Sequence, residues 1–223
     1  MCGNGLVEPG ESCDDGEITA SCSAECTTCE PVTPSAVTDQ ELAPCVAASG
    51  CEQNWITKAG QSVAQGFQVS QTGTLDTIQL YLRNTASDTS DLTLELVDGG
   101  SEPLFPSGLT PTQMDNNVIG SATVNGQEGD PQWEVFDFSN QDIELDPRHH
   151  YFIWLRMHPP HPADNGRGLW ETLAGVPGLP DPFPGGRQFL CLPEGGPCQV
   201  DPLSFDAVFR VRLHPAPPLC GEN

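Results

Sequence analysis

Residues 2–16, Cys2-Gly-Asn-Gly-Leu-Val-Glu-Pro-Gly-Glu-Ser-Cys-Asp-Asp-Gly16, hold two cysteines and four carboxylates among four glycines and a proline. Hard cations such as calcium take roughly six to eight oxygens from carboxylates, Asn side chains and carbonyls. Asn4, Glu8, Glu11, Asp14 and Asp15 offer such oxygens in one loop that disulfides would preorganise. Their spacing is not that of an EF-hand, so a structural calcium site stands beside a plainer reading, turn-forming Asp and Asn with no metal. Asp130, Asp201 and Asp206 are weaker candidates for an ion in the larger part of the chain. The five histidines are His149, His150, His158, His161 and His214. His149 and His150 would point to opposite faces of a strand and could not chelate one ion. His158-Pro-Pro-His161, beside Met157, would suit copper or zinc, or is simply exposed loop.

Sugar recognition needs flat aromatic platforms with a few directional polar groups beside them. Trp55, Tyr81, Trp133, Trp154 and Trp170 are the candidate platforms. Tyr81 alternates with apolar neighbours and shares its face with Gln79 and Arg83. Trp170 lies by a long Pro/Gly stretch, near Asn165, Arg167 and Glu171. The expected ligand-binding set is therefore Tyr81, Arg83, Asn165, Arg167, Trp170 and Glu171. Trp154 is expected in the core, and each of the other rings also has a packing reading. Catalytic patterns are weak. Glu134, Asp137 and Glu171 lack a spacing that marks a glycosidase pair. HExxH, GxSxG and the phosphate-binding GxxxxGK do not occur. We expect a non-catalytic protein.

The ten cysteines are Cys2, Cys13, Cys22, Cys26, Cys29, Cys45, Cys51, Cys191, Cys198 and Cys220. An even number in a chain this rich in turns reads as a disulfide framework made in an oxidising compartment. Cys26-Thr-Thr-Cys29 also has a zinc-type spacing, without an evident second pair. Cys45/Cys51 and Cys191/Cys198 could each close a small loop. That would leave an N-terminal cysteine, for example Cys29, to clip the tail at Cys220. Spacing does not decide the connectivity.

The formal charge is −23, from 31 acidic against 8 basic residues, and Lys58 is the sole lysine. Phosphate backbones and anionic membrane surfaces would be repelled, so neither is an expected partner. No apolar run is long enough to insert into a membrane. No leader pattern opens the chain, so we expect a mature or recombinant start at Met1. The sequence has no Asn-x-Ser/Thr acceptor.

The elements that must position these residues show period two. Ile78, Leu80 and Leu82 alternate with Gln79, Tyr81 and Arg83. Leu92, Leu94 and Leu96 alternate with Thr93, Glu95 and Val97. Phe205, Ala207, Phe209, Val211 and Leu213 alternate with Asp206, Val208, Arg210 and Arg212. Each predicts a strand with one wet face. Residues 151–157 (YFIWLRM) are apolar on both faces and predict a central strand. Strands are also expected at 65–69, 133–138, 118–124, 168–173 and 187–192. With 22 prolines and 23 glycines, helices are expected to be nearly absent. The predicted fold is all-β: a jelly-roll-like antiparallel sandwich over residues 45–214. A disulfide-rich irregular module (1–30), a linker or strap (31–44) and a proline-rich tail (215–223) flank it.

The N-terminal module resembles the cysteine-rich repeat of secreted and cell-surface proteins of myxobacteria and related bacteria. The resemblance is carried by Cys2-Gly-Asn-Gly5, Glu8-Pro-Gly-Glu11, Cys13-Asp-Asp-Gly16, Cys22 and Cys26. Glu17 stands where that family often has Asn. Residues 60–213 are similar to bacterial surface jelly-roll modules, through Ala64–Val69, Gly73–Leu82, Asp91–Leu96, His150–Leu155 and Phe205–Val211. The resemblances imply an extracellular or bacterial cell-surface module. Polysaccharide or another surface component is one implied partner. Further copies of the chain, assembled as a fibre or layer, are the other. Cys220-Gly-Glu-Asn223 echoes the Cys2-Gly-Asn-Gly5 start, as a tandem array would.

Overall fold

The computed structural model describes residues 7, 11–14, 34–41, 53–56, 62–84, 91–101, 111–125, 130, 132–158, 170–173, 188–191, 198–200 and 208–216. The chain forms two compact units, residues 1–37 with 214–223, and residues 38–213. Within the first, His214 Nδ1 lies 3.0 Å from the carbonyl oxygen of Pro34, joining strap and tail.

The second unit is built from strands. In chain order they are β1 (Val37–Glu41), β2 (Gln53–Ile56), β3 (Ser62–Phe67), β4 (Gly73–Asn84), β5 (Asp91–Gly100), β6 (Val118–Val124) and β7 (Gln132–Asp137). There follow β8 (Glu144–Leu145), β9 (His150–His158), β10 (Trp170–Leu173), β11 (Gln188–Cys191), β12 (Gln199–Val200) and β13 (Phe209–Pro215). One short helix, α1 (Pro111–Asp115), is present among the described residues. The first sheet runs β1-β13-β4-β10-β2, with β7 and β8 also paired to β4. The second runs β12-β11-β3-β9-β5-β6. Successive strands repeatedly change sheet, as in a jelly-roll-like sandwich.

The period-two pattern explains the core. Ile78, Leu80 and Leu82 of β4 pack with Leu92, Leu94 and Leu96 of β5, and with Phe209, Val211 and Leu213 of β13. Phe67, Phe136, Phe138 and Tyr151 complete that layer. Each fully buried side chain of this size contributes about 1.5–3 kcal/mol.

The second sheet departs from the expectation of a wet outer face. Val97, predicted to face water, is 3% exposed and packs with Ala64, Met114, Phe152, Trp154 and Cys198 in a separate cluster. The α1 helix supplies Met114, and Cys198 Sγ lies 3.9 Å from its sulfur. This cover is why β9 carries apolar residues on both faces. It also has β3 and β5 as its two neighbours, the central position expected for it. Val208 corrects the alternation at the other end of the chain. It is 1% exposed, and its carbonyl accepts the Tyr81 amide at 3.0 Å. It precedes β13, so the strand period does not govern it.

Candidate ligand-binding face

The outer face of the first sheet is where chemistry-bearing side chains converge in the open. Register sets the arrangement: Tyr81 stands opposite Trp133, Gln79 opposite Val135, and Thr77 opposite Asp137. Directly opposed residues share a face. The inward partners Ile78 and Phe136 are fully buried, so the intervening positions turn outward. The rings of Tyr81 and Trp133 meet edge-on, with centroids 5.5 Å apart. Arg210, outward on β13, lays its guanidinium over the Trp133 ring, 4.0 Å from the centroid. Its Nε donates to Glu41 Oε1 of β1 at 2.7 Å. Four elements thus build one layer: β1 gives the carboxylate, β13 the cation, β7 the indole and β4 the phenol. Val135, 47% exposed, extends the apolar strip beside them.

Such a layer offers flat C–H-accepting surface, a cation with donors to spare and a polar rim. Arg210 is fixed by one ion pair and one ring, so its remaining N–H groups have defined directions. Among the described residues no group of three or more His, Cys, Asp or Glu is placed to hold a metal ion.

Of the residues expected from sequence to bind ligand, Tyr81 stands in this layer. Register puts Arg83 opposite Glu171, and Glu171 opposite Trp55 on β2, continuing the same row from Tyr81. Trp170 stands opposite Asn84 and Ile56. The side chains of Arg83, Trp170 and Glu171 lie outside the described residues, as do Asn165 and Arg167 entirely. Of the proposed calcium ligands, Glu11 and Asp14 are described and half-buried, while Asn4, Glu8 and Asp15 lie outside. Asp130 is exposed; Asp201 and Asp206 lie outside. No free cysteine occurs among the described residues.

Trp154 is in the core as expected, and its Nε1 donates to Ser62 Oγ at 2.8 Å. His149 does not lie in a strand. It precedes β9, with Nδ1 3.0 Å from Asp98 Oδ1, and Asp98 also accepts the Gly100 amide at 2.7 Å. Asp98 also lines an open cavity of about 350 Å³, with Gly99, Gly100, Asn116, Asn117, Val118 and Ile119. Gly100 adopts φ +79° at the β5 bulge, and Gly99 admits no side chain because Phe152 and the His150 carbonyl fill its place.

Charge near this end follows local hydrogen bonds. Hydrogen bonds from Arg148 hold the Asp146 carboxyl well below the usual range. The Ser139 hydroxyl and amide lower Asp137. Burial raises the Tyr151 phenol.

Sequence reasoning did not find Arg210–Glu41, Arg156–Glu95 or Asp98–His149. Their separations are 169, 61 and 51 residues. One signal was present. With 8 bases against 31 acids, any arginine in a strand has carboxylates on offer.

No family model matches the chain. No curated protein gives a significant match.

Proposed function

We propose that this chain is a non-catalytic, extracellular or cell-surface module that binds a polysaccharide or a similar surface component on the outer face of its first sheet. The observation behind the proposal is the Tyr81–Trp133–Arg210 layer, open to solvent and fixed in place by Glu41. Sugar rings present C–H faces that pack on aromatic and guanidinium planes, while their hydroxyls take directional bonds from the remaining Arg210 N–H groups and Gln79. The acidic surface favours neutral over anionic chains, since Arg210 already has a carboxylate partner. The cysteine-rich N-terminal repeat belongs to the same reading, as the disulfide-stapled part of a secreted protein. Calcium held by Asn4, Glu8, Glu11, Asp14 and Asp15 would staple it further. In that case chelation lowers the melting temperature of the full chain and calcium restores it.

Affinity electrophoresis of the full chain in gels cast with neutral and acidic polysaccharides, with and without calcium, tests the binding face. Trp133→Ala and Tyr81→Ala should each weaken retardation at least tenfold while circular dichroism stays unchanged. Retardation undiminished in both variants, or none in any gel, would sink the reading. The alternative is a self-assembling subunit of a fibre or layer, favoured by the Cys220-Gly-Glu-Asn223 echo of the N-terminal motif. Electron microscopy showing ordered filaments would support it.

A further inference from the structure

The β6 strand ends the second sheet, and among the described residues no strand pairs with its far side. Its seven residues, Val118-Ile-Gly-Ser-Ala-Thr-Val124, carry no charge and no proline. Ile119 is 39% exposed. An uncharged strand of this kind is a template for pairing with another strand.

The backbone direction on the far side can be read from the register. Ser121 stands opposite Glu95, and Thr123 opposite Thr93. Thr93 and Thr123 bring their hydroxyls to 2.9 Å, the close approach of a pair that exchanges no backbone hydrogen bonds. Their amide and carbonyl groups therefore point away from β5. At Ser121 those groups have a substitute partner. The Ser121 amide donates to Gln141 Oε1 at 3.2 Å, and Gln141 Nε2 donates to the Ser121 carbonyl at 2.8 Å. One side-chain amide thus makes both bonds that a neighbouring strand would make.

A second observation shows that this contact is built in. A Cβ on Gly120 would run into Ile143 and would lie 2.9 Å from Gln141 Oε1 and 3.4 Å from Phe138 Cδ1. Glycine at 120 leaves room for the Ile143 and Gln141 side chains to lie against β6 as they do. The segment is anchored to β4, where the Phe138 amide bonds the Asp76 carbonyl at 2.9 Å and the Leu75 amide bonds the Ile143 carbonyl at 2.8 Å. Asp142 takes φ 50°, a left-handed conformation that Asp tolerates, directly after Gln141.

We propose that Gln141 is a latch on a latent self-association edge. With the latch closed, β6 cannot add a strand. With it removed, β6 pairs antiparallel with β6 of a second copy, about a two-fold axis near Ser121. The occupant is identified by charge. At −23, copies of this chain repel one another over most of their surfaces, and a neutral strand is where two can approach. A symmetric partner also brings its own neutral strand to the contact, which a charged peptide would not. The proposal does not depend on what the first sheet binds.

Analytical ultracentrifugation of the full chain at about 0.05 M and about 0.5 M salt tests it. Wild type should sediment as a monomer. Gln141→Ala should associate, with its dimer dissociation constant at least tenfold below that of wild type, and more tightly at high salt because both copies carry a formal charge of −23. Gln141→Asn, which shortens the reach by one methylene, should move the same way and covers the case in which Gln141→Ala misfolds. Adding Thr123→Pro removes an outward donor on the free side and leaves β5 pairing intact. With the axis near Ser121, adding Thr123→Glu sets a charge opposite Ile119 of the second copy, where it has no partner. Either should restore the monomer. Gln141 variants that stay monomeric at both salts would overturn the proposal. So would association that survives both Thr123 changes, or wild type that associates as strongly as the variants.

Discussion

The two sheets carry the same device on their outer faces and put it to different use. On the second, Arg156 stacks over Trp154 at 3.9 Å, pairs with Glu95 and reaches Asp115 at the end of α1 at 2.9 Å. On the first, Arg210 stacks over Trp133 at 4.0 Å and pairs with Glu41. Trp154 is 1% exposed beneath a lid of α1 and Cys198, whereas Trp133 is half-buried and open. One set therefore fastens a cover, and the other is left as a surface. The difference arises in Ala64, Val97 and Phe152, which give the second sheet an outer apolar cluster that Met114 of α1 covers. The first sheet has Gln79 and Asp137 at comparable positions, polar side chains in place of an apolar cluster.

The largest effect that would break this comparison is at the two tryptophans. Trp154→Ala empties a buried site and strands the Ser62 hydroxyl, so it should cost about 3–5 kcal/mol in urea unfolding. Trp133→Ala removes a half-buried ring and should cost well under half of that, about 1–2 kcal/mol. Equal costs would mean that the two faces are not differently used.

Removing Arg156 comes next. Arg156→Ala leaves Glu95 partly buried without its cation and releases Asp115, with an expected loss of about 1–3 kcal/mol. Amide exchange should speed up in α1 before it does in β4, because the lid is what the arginine fastens. Uniform exchange across both sheets would contradict a local cover.

A control lies on the inner face that both sheets share. Tyr151 is buried there, and its hydroxyl accepts the Asp146 amide at 2.8 Å. Tyr151→Phe should cost about 1 kcal/mol at neutral pH, chiefly through the orphaned amide. Burial raises the phenol above its usual value of 10.0. Between that value and the folded pKa, the native state binds the proton that the unfolded chain has lost. The stability tied to this shift is complete below pH 10 and falls as pH rises through the folded pKa. Wild type should lose melting temperature above pH 10 more steeply than Tyr151→Phe, and identical alkaline slopes would reject that role.

The inner core was legible in the sequence because period two survives any tertiary arrangement: Leu92, Leu94 and Leu96 face inward as predicted. The central place of β9 was legible for the same reason. Covered outer faces were not, because Val97 and Met114 look like ordinary strand and loop residues until α1 folds over them. β1 lies in a Pro-containing stretch that reads as a strap. The binding layer was half legible. Tyr81 follows from alternation, but Trp133, Arg210 and Glu41 meet it only through strand order, which local pattern does not encode.

Arg210→Ala should change stability less than Arg156→Ala does, and it gives the sharpest separation of the two faces. Arg210 and Glu41 are both well exposed, at 31% and 39% of side-chain area. An ion pair of that exposure contributes about 0–1 kcal/mol, screened by salt. The ring contact adds about 0.5–1 kcal/mol at such a site. Unfolding should therefore shift by less than it does in Arg156→Ala, although the two arginines make matching contacts. Polysaccharide retardation should fall as far as it does in Trp133→Ala, because the guanidinium forms part of the layer that the sugar meets. A loss of stability without a loss of binding would turn Arg210 into a second fastener, and the two faces would then be alike.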